Sequence, residues 1–364
     1  HVDFVRFLLE NGARLSIPAW TNNGVVGLAD PTLRPAAEDP DFVAGAGEVM
    51  RLYAELGCVP TWTCAPYQLP GGPKLGDHIA VGESNAVSYY NSAVGARTNK
   101  YGDYLDVACA LVGKAPFAGL HTDEGRKARL RFACEDLPDA WRREDIFAHL
   151  LGHHVGRIAG RRVPVMTGLP AETTADNLKA ISSAVAASGG VELWHGVGVT
   201  PEAPSLDAVF GGGDCHRVTA EDLTMAHSDL STARDGPLDA VALGTPHFSI
   251  SEFADLVQLL DGRKTKPGLV FLVSTSRAVR QMAAAKGWIA ELERAGVEVP
   301  VDVCTYYSPR VRGIRGRIMS NAAKWAYYAP GMLGVEVAFG SLRECVESAV
   351  RGEVWRDPAL WIRP

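Results

Sequence analysis

The sequence contains no C-x-x-C pair, no G-x-S-x-G elbow, no repeat of fixed period and no low-complexity linker. Without C-x-x-C, no compact thiolate motif supports metal ligation, and without G-x-S-x-G an α/β-hydrolase nucleophile has no place to stand. No apolar run approaches the roughly 18–20 residues of a membrane span. Positive charge is short as well. A formal net charge of −6 and a pI near 6.0 leave no electrostatic footprint for nucleic acid or an anionic membrane. The "GGGD" run from Gly211 to Asp214 has no strand before it and the wrong spacing after it, which excludes a dinucleotide fingerprint and a phosphate loop. An initiator Met is also missing. The opening "HVDFVRFLLENGARLSIPA" reads as a helix leading into a strand, with no signal peptide, so the chain is expected to start mid-protein.

What is present points to a large buried core. Of the 364 residues 47% are hydrophobic and 21% charged, enough for more than one domain. Seven scattered cysteines, an odd number, favour reduced thiols and a cytoplasmic protein over a disulfide framework. One local pattern recurs: an amphipathic helix, a glycine, a short β-branched strand, then a polar or reactive residue. It predicts strands ending at Thr21, Asn22 and Asn23, at Cys64, at His195 and at Cys304. Two further strands, "LDAVALGTPHF" and "GLVFLVSTS", each precede a helix, and Ser249 with Glu252 forms a capping box after the first. Strands alternating with helices predict an α/β fold of several subdomains with mainly parallel sheets. Ligands then gather at the strand carboxyl ends. A change from helical to extended character at residues 157–163 predicts a division into 1–160 and 161–364, and the glycines of "VFGGGDCHRVT" read as a loop at a second possible boundary.

Residue by residue, two readings stand at most positions. Cys64 and Cys304 each follow a short strand; they are thiolate ligands or small buried apolar groups. Cys109 and Cys58 read as packed, and Cys215 beside His216 as an outside ligand. His149, His153 and His154 in "LGHHV" lack the metalloprotease glutamate, so a solvated or capping role is expected. His195 and His247 are structural histidines or site residues, with Thr245 a weak oxygen donor nearby. Arg97, flanked by small residues, is a carboxylate clamp or an ion-pair partner of Asp103 or Asp106. Lys324 in "SNAAKWAYY" is either a snorkelling side chain or an acid–base group whose pKa desolvation lowers. Arg310, Arg312, Arg315 and Arg317 form an anion-binding loop or a basic surface.

The strings "GCVPTWTCAPYQ", "GESNAVSYYNSAVGARTNKYGDYLDVACALVGKAP", "LWHGVGVTPEAP", "ALGTPHFS" and "SNAAKWAYYAPG" together resemble the aconitase X family, in collinear order along essentially the whole chain. That resemblance implies an aconitase-like fold and an iron–sulfur dehydratase, a hydro-lyase, with Cys64 and Cys304 as cluster ligands. One branch of the family acts on cis-3-hydroxy-L-proline and the other on mevalonate 5-phosphate. In the second branch a third cysteine is expected where this chain has Thr245, a departure that leans towards the hydroxyproline branch and a [2Fe–2S] cluster. The resemblance also implies a substrate pocket built by residues 82–111, with Ser84, Asn85, Arg97, Thr98 and Asn99 as polar contacts. Lys324 and His195 become the proton handlers on this chain. Family members carry a further N-terminal segment and a small swivelling domain, fused or as a separate subunit, whose serine is the analogue of the aconitase-type base. A missing fused domain or a small swivel-domain partner is therefore expected.

Overall fold

A computed structural model describes residues 1–35, 39–306 and 311–362, which leaves Arg310 outside the described set. Among the described residues, nine strands form two sheets. The first holds β1 (Ala128–Ala133), β2 (Pro164–Thr167), β3 (His195–Gly196) and β4 (Phe210–Arg217) in the order β3-β2-β1-β4. The second holds β5 (Ala240–Leu243), β6 (Val270–Val273), β7 (Val297–Glu298), β8 (Arg317–Ser320) and β9 (Glu336–Phe339) in the order β7-β6-β5-β8-β9. Every pairing is parallel, as the alternation of strand and helix predicts. No helix among the described residues is long and apolar enough to cross a membrane.

Several strands are short runs buried on both faces, as "AVAL" in β5 and "PVMT" in β2 are, whereas the edge strand β4 is largely exposed. Amphipathic helices cover them. Ile250–Leu260 starts from the Ser249–Glu252 capping box and buries Phe253, Leu256 and Leu260 against the second sheet; each such side chain contributes about 1.5–3 kcal/mol. The helices Asp145–Ala159 and Ala175–Gly189 pack together over the first sheet, around a core that includes Trp194, Phe132 and both Cys64 and Cys304.

Two details depart from the sequence reading. The first 124 residues contain no strand among the described residues: the runs predicted to end at Asn22 and Cys64 meet only as the single bridge Trp20–Val59. Pro18 and Pro60 flank that bridge, and a proline cannot donate to a ladder. The "GGGD" run is not a loop but part of the edge strand β4. Gly213 (φ +143°) passes so near β1 that a Cβ would lie 2.1 Å from the Arg129 carbonyl oxygen, so only glycine allows the pairing. Residues 157–163 are the crossover from the helix Asp145–Ala159 to β2, inside one sheet.

Candidate metal centre and active site

Cys64 and Cys304 come from turns 240 residues apart, yet their Sγ atoms lie 3.5 Å from each other, both side chains buried. His247 completes the group: among the described residues, Cys64, His247 and Cys304 are the one set of histidine, cysteine and carboxylate side chains that could hold a metal ion, with ligand atoms all within 4.8 Å. His247 stands just beyond β5 and Cys304 beyond β7, at strand carboxyl ends. Gly244 makes the turn out of β5 possible. Its φ is +84°, and a Cβ there would meet the Ser274 carbonyl oxygen at 2.0 Å.

Hydrogen bonds fix the group. The His247 amide donates to the Cys64 Sγ at 3.3 Å. Its ring Nε2–H points to the Val303 carbonyl at 3.3 Å, which leaves Nδ1 to accept from the Thr63 hydroxyl at 2.9 Å. Burial holds the imidazole neutral, with its pKa lowered to about 4. The thiols divide their protons unequally. Burial alone would raise Cys64, but the Cys304 S–H, Lys324 and the His247 amide together lower it. Cys304, which donates that hydrogen bond, is raised well above its ordinary value by the bond and by burial.

Lys324 begins the helix Ala323–Leu333 just after β8 and is 2% exposed, so it does not snorkel. Its Nζ lies 2.5 Å from Glu83 Oε1 and 5.8 Å from the centre of the Tyr306 ring. The lowered pKa expected for it is corrected by this partner. Burial does push it down, but Glu83, with Tyr306 and Cys64, outweighs burial and holds Lys324 well above its usual range as an ammonium. Glu83 is also the N-cap of the helix Ser84–Tyr89, accepting the Ala86 amide at 2.8 Å and the Asn85 side-chain amide. Asn85 in turn donates to the Cys64 carbonyl at 2.9 Å and accepts the Tyr67 hydroxyl at 2.6 Å. Asn85, expected as a substrate contact, thus reaches the thiol loop. Glu83 and Tyr67, which the sequence reading passed over, stand beside it. "GES" before a helix is a capping signal, and only the fold turns it into a counter-ion.

The other predicted residues gather elsewhere. Beyond Tyr89 the chain makes a π-helical turn over Tyr90–Val94, and Asn91 there binds the Thr98 amide and carbonyl. Thr98 and Asn99 spend their side chains on neighbouring backbone: the Thr98 hydroxyl on Asn99, the Asn99 amide on Ala118 and Leu120. Arg97 pairs with Asp123 at 2.6 Å, not with Asp103 or Asp106. Buried Arg126 forks onto Glu202 and also binds Asn91 and Leu120. His195 Nε2 donates to the Arg126 carbonyl at 2.8 Å, and burial lowers its pKa. Ser84 opens the helix beside Glu83.

In "LGHHV", His153 is buried and bonded to Ser188 rather than solvated, because the helix turns that face onto Ala175–Gly189. Cys215 is exposed on β4. Arg312 and Arg317 pair with Glu298 and Glu336.

A donor set of two thiols and an imidazole suits iron or zinc and does not suit a hard cation. Two residues before His247, the buried Thr245 hydroxyl has no hydrogen-bond partner among the described residues, so an oxygen donor is available in that loop. The chemistry of these residues fits an iron–sulfur group.

Residues 1–124, 128–235 and 238–351 match the first, second and third domains of aconitase X, respectively. The chain is 42% identical over 320 residues to a cis-3-hydroxy-L-proline dehydratase of Hypocrea jecorina, covering 85% of this chain and 53% of the relative. With the Pseudomonas aeruginosa enzyme of the same name it is 39% identical over 362 residues, covering 98% and 61%. It is 34% identical to the phosphomevalonate dehydratase large subunit of Thermococcus kodakarensis, covering 90% of this chain and 80% of that one. The crystal structure of the holo-form of Thermococcus kodakaraensis aconitase X superposes with a TM-score of 0.82 at 32% identity, covering 96% and 85% of the two chains. The chain therefore spans 53–61% of the length of the two hydroxyproline dehydratases.

Proposed function

The chain belongs to the aconitase X family, and we propose that it carries the metal- and substrate-binding part of a hydro-lyase acting on cis-3-hydroxy-L-proline. The observation that carries this reading is the Cys64–Cys304 thiol pair, 3.5 Å apart and buried beside His247 and an ammonium. Cys64 and Cys304 would hold an iron–sulfur group, with Thr245 or His247 at the remaining position. A set with two thiols rather than three favours the smaller [2Fe–2S] form. When bound, that group supplies a Lewis acid for the departing hydroxyl.

The remaining chemistry falls to the protein. Removing the proton alpha to a carboxylate builds enolate-like charge, which a fixed cation in a dry site stabilises. Lys324 is that cation. As an ammonium it faces the substrate carboxylate and can donate a proton, but it cannot accept one. Arg97 already binds Asp123, and we assign it to the outer wall of the pocket with Thr98 and Asn99. Ser84 and Asn85 line the inner wall by virtue of the Glu83 cap. His195 is bonded to Arg126 and supports that wall. The base is then the serine of the small swivel domain that the family resemblance implies, on a fused segment or a partner subunit. Loss of the Cα–H and C3–OH bonds releases water, and the enamine tautomerises to Δ1-pyrroline-2-carboxylate.

Iron and acid-labile sulfide, measured on anaerobically prepared protein and its Cys64→Ser and Cys304→Ser variants, test the reading. Both should be near-stoichiometric in the parent and lost in both variants. Turnover is then assayed on cis-3-hydroxy-L-proline and on mevalonate 5-phosphate, with and without an added swivel-domain subunit. Activity on the phosphate alone would reassign the substrate.

A further inference from the structure

Four residues other than glycine take left-handed backbone among the described residues: Trp62, Tyr104, Asp261 and Asp302. Tyr104 and Asp261 flank helices. The other two each lie two residues before a thiol, Trp62 (φ +44°) before Cys64 and Asp302 (φ +71°) before Cys304. Such backbone is disfavoured for an L residue, whose Cβ crowds the following carbonyl oxygen. It persists only where the surroundings impose it.

Those surroundings are visible. Asp302 is fully buried, and its carboxylate takes both prongs of one guanidinium, Arg277 Nε at 2.7 Å and the terminal Nη2 at 2.6 Å. Its carbonyl accepts the Gly24 amide at 2.6 Å. On the other side, the Trp62 amide donates to the Thr21 hydroxyl at 3.1 Å, and the Thr61 hydroxyl donates to the Thr21 carbonyl at 2.5 Å. One short segment, residues 21–24, therefore grips both turns. Gly24 is confined between them: a Cβ would sit 3.2 Å from the Asp302 carbonyl oxygen and from Met50 Sδ.

We propose that Asp302, locked by Arg277, is a positioning residue that turns the chain ahead of Cys304 and presents its thiol to Cys64, with the Thr21-held Trp62 turn as its counterpart. The proposal deepens, and rests on, the reading that the two thiols hold a metal group. Neither Asp302 nor Arg277 need touch that group. The fork imposes a backbone that the sequence alone disfavours, so the thiols are set before metal arrives and less ordering remains to be done on binding.

Cobalt(II), titrated into the metal-free full chain and read by its thiolate charge-transfer absorption, is the probe. Arg277 is half-exposed, so Arg277→Gln is the first variant. Outer partners of metal ligands typically change affinity by about 10–100-fold. Arg277→Gln should weaken cobalt at least about 10-fold in that range, with far-UV dichroism unchanged, and Arg277→Lys should recover part of the loss. Parental affinity in a folded Arg277→Gln protein overturns the proposal. If that variant does not fold, Thr21→Val carries the same test at the other turn, with the same two outcomes. Should the parent bind no cobalt, the metal reading fails separately. Positioning is then decided by how fast diamide closes the Cys64–Cys304 disulfide in the metal-free chain: several-fold slower closure in the variant supports it, and equal rates overturn it.

Discussion

Glu83 and Lys324 are 241 residues apart in the chain, and their side chains meet at 2.5 Å inside the core. The pair joins the helix that follows "GES" to the helix that follows β8, and through Asn85 it reaches the backbone of Cys64. Glu83→Gln keeps the shape but leaves a buried ammonium without its counter-ion. Denaturant unfolding should show a loss of about 3–5 kcal/mol, as when one partner of a buried pair is removed. Glu83→Gln combined with Lys324→Met should be less unstable than the two single losses summed. Strict additivity would show that the two groups are not coupled.

Gly244 tests the loop that brings His247 to the thiols. Gly244→Ala combines left-handed strain with a Cβ placed 2.0 Å from the Ser274 carbonyl oxygen. The strain costs about 1–2 kcal/mol and the overpacking about 1–3 kcal/mol. A thermal midpoint well below that of the parent is expected, together with reduced iron content. Normal values for both would mean that β5 and β6 can separate without cost.

Acid should destabilise the chain before its carboxylates protonate. Burial lowers the pKa of His153 and of His227 to about 4, with Asp229 only partly offsetting it at His153. An unfolded chain binds these protons from about pH 6.5 downwards and the folded chain does not, so stability falls as pH drops from about 6.5 to about 4. Each such histidine adds up to about 1.4 kcal/mol per pH unit to that slope. Chemical denaturation at several pH values, on the parent and on His227→Gln, measures it. An unchanged slope in the variant would remove His227 from the account.

His195 and Arg126 separate support from chemistry. Lysine at position 126 cannot reproduce a fork that serves Glu202, Asn91 and Leu120 together, and each buried acceptor left unmet costs about 1–3 kcal/mol. Arg126→Lys and His195→Gln should lower stability while leaving iron content per folded molecule unchanged. A His195→Gln protein that is fully stable but inactive in the turnover assay would restore His195 as a proton handler.

The recurring helix–glycine–strand pattern was enough to specify the parallel α/β architecture from β1 onwards, but not the segment that carries Cys64, where the expected strand is reduced to a single bridge. Apolar periodicity and helix-ending glycines are local signals, and a thiol beside an apolar run is visible as a break in it. The polar richness of residues 82–111 was equally legible, but not its division of labour. Asn85 turns to the Cys64 loop, whereas Asn91, Thr98 and Asn99 hold backbone together, and a hydrogen-bonding side chain carries no mark of which partner it will meet.

By itself, then, the sequence determined most of the helices and the parallel strands from residue 128 onwards, because backbone propensity and apolar spacing act over a few residues. Tertiary structure alone decided that Lys324 is an ammonium, that Arg97 answers to Asp123, and that Asp302 and Trp62 bend backward ahead of the two thiols. The state of a charge depends on its neighbours in space. For Lys324 that neighbour, Glu83, stands 241 residues away in the chain, where no local pattern records it.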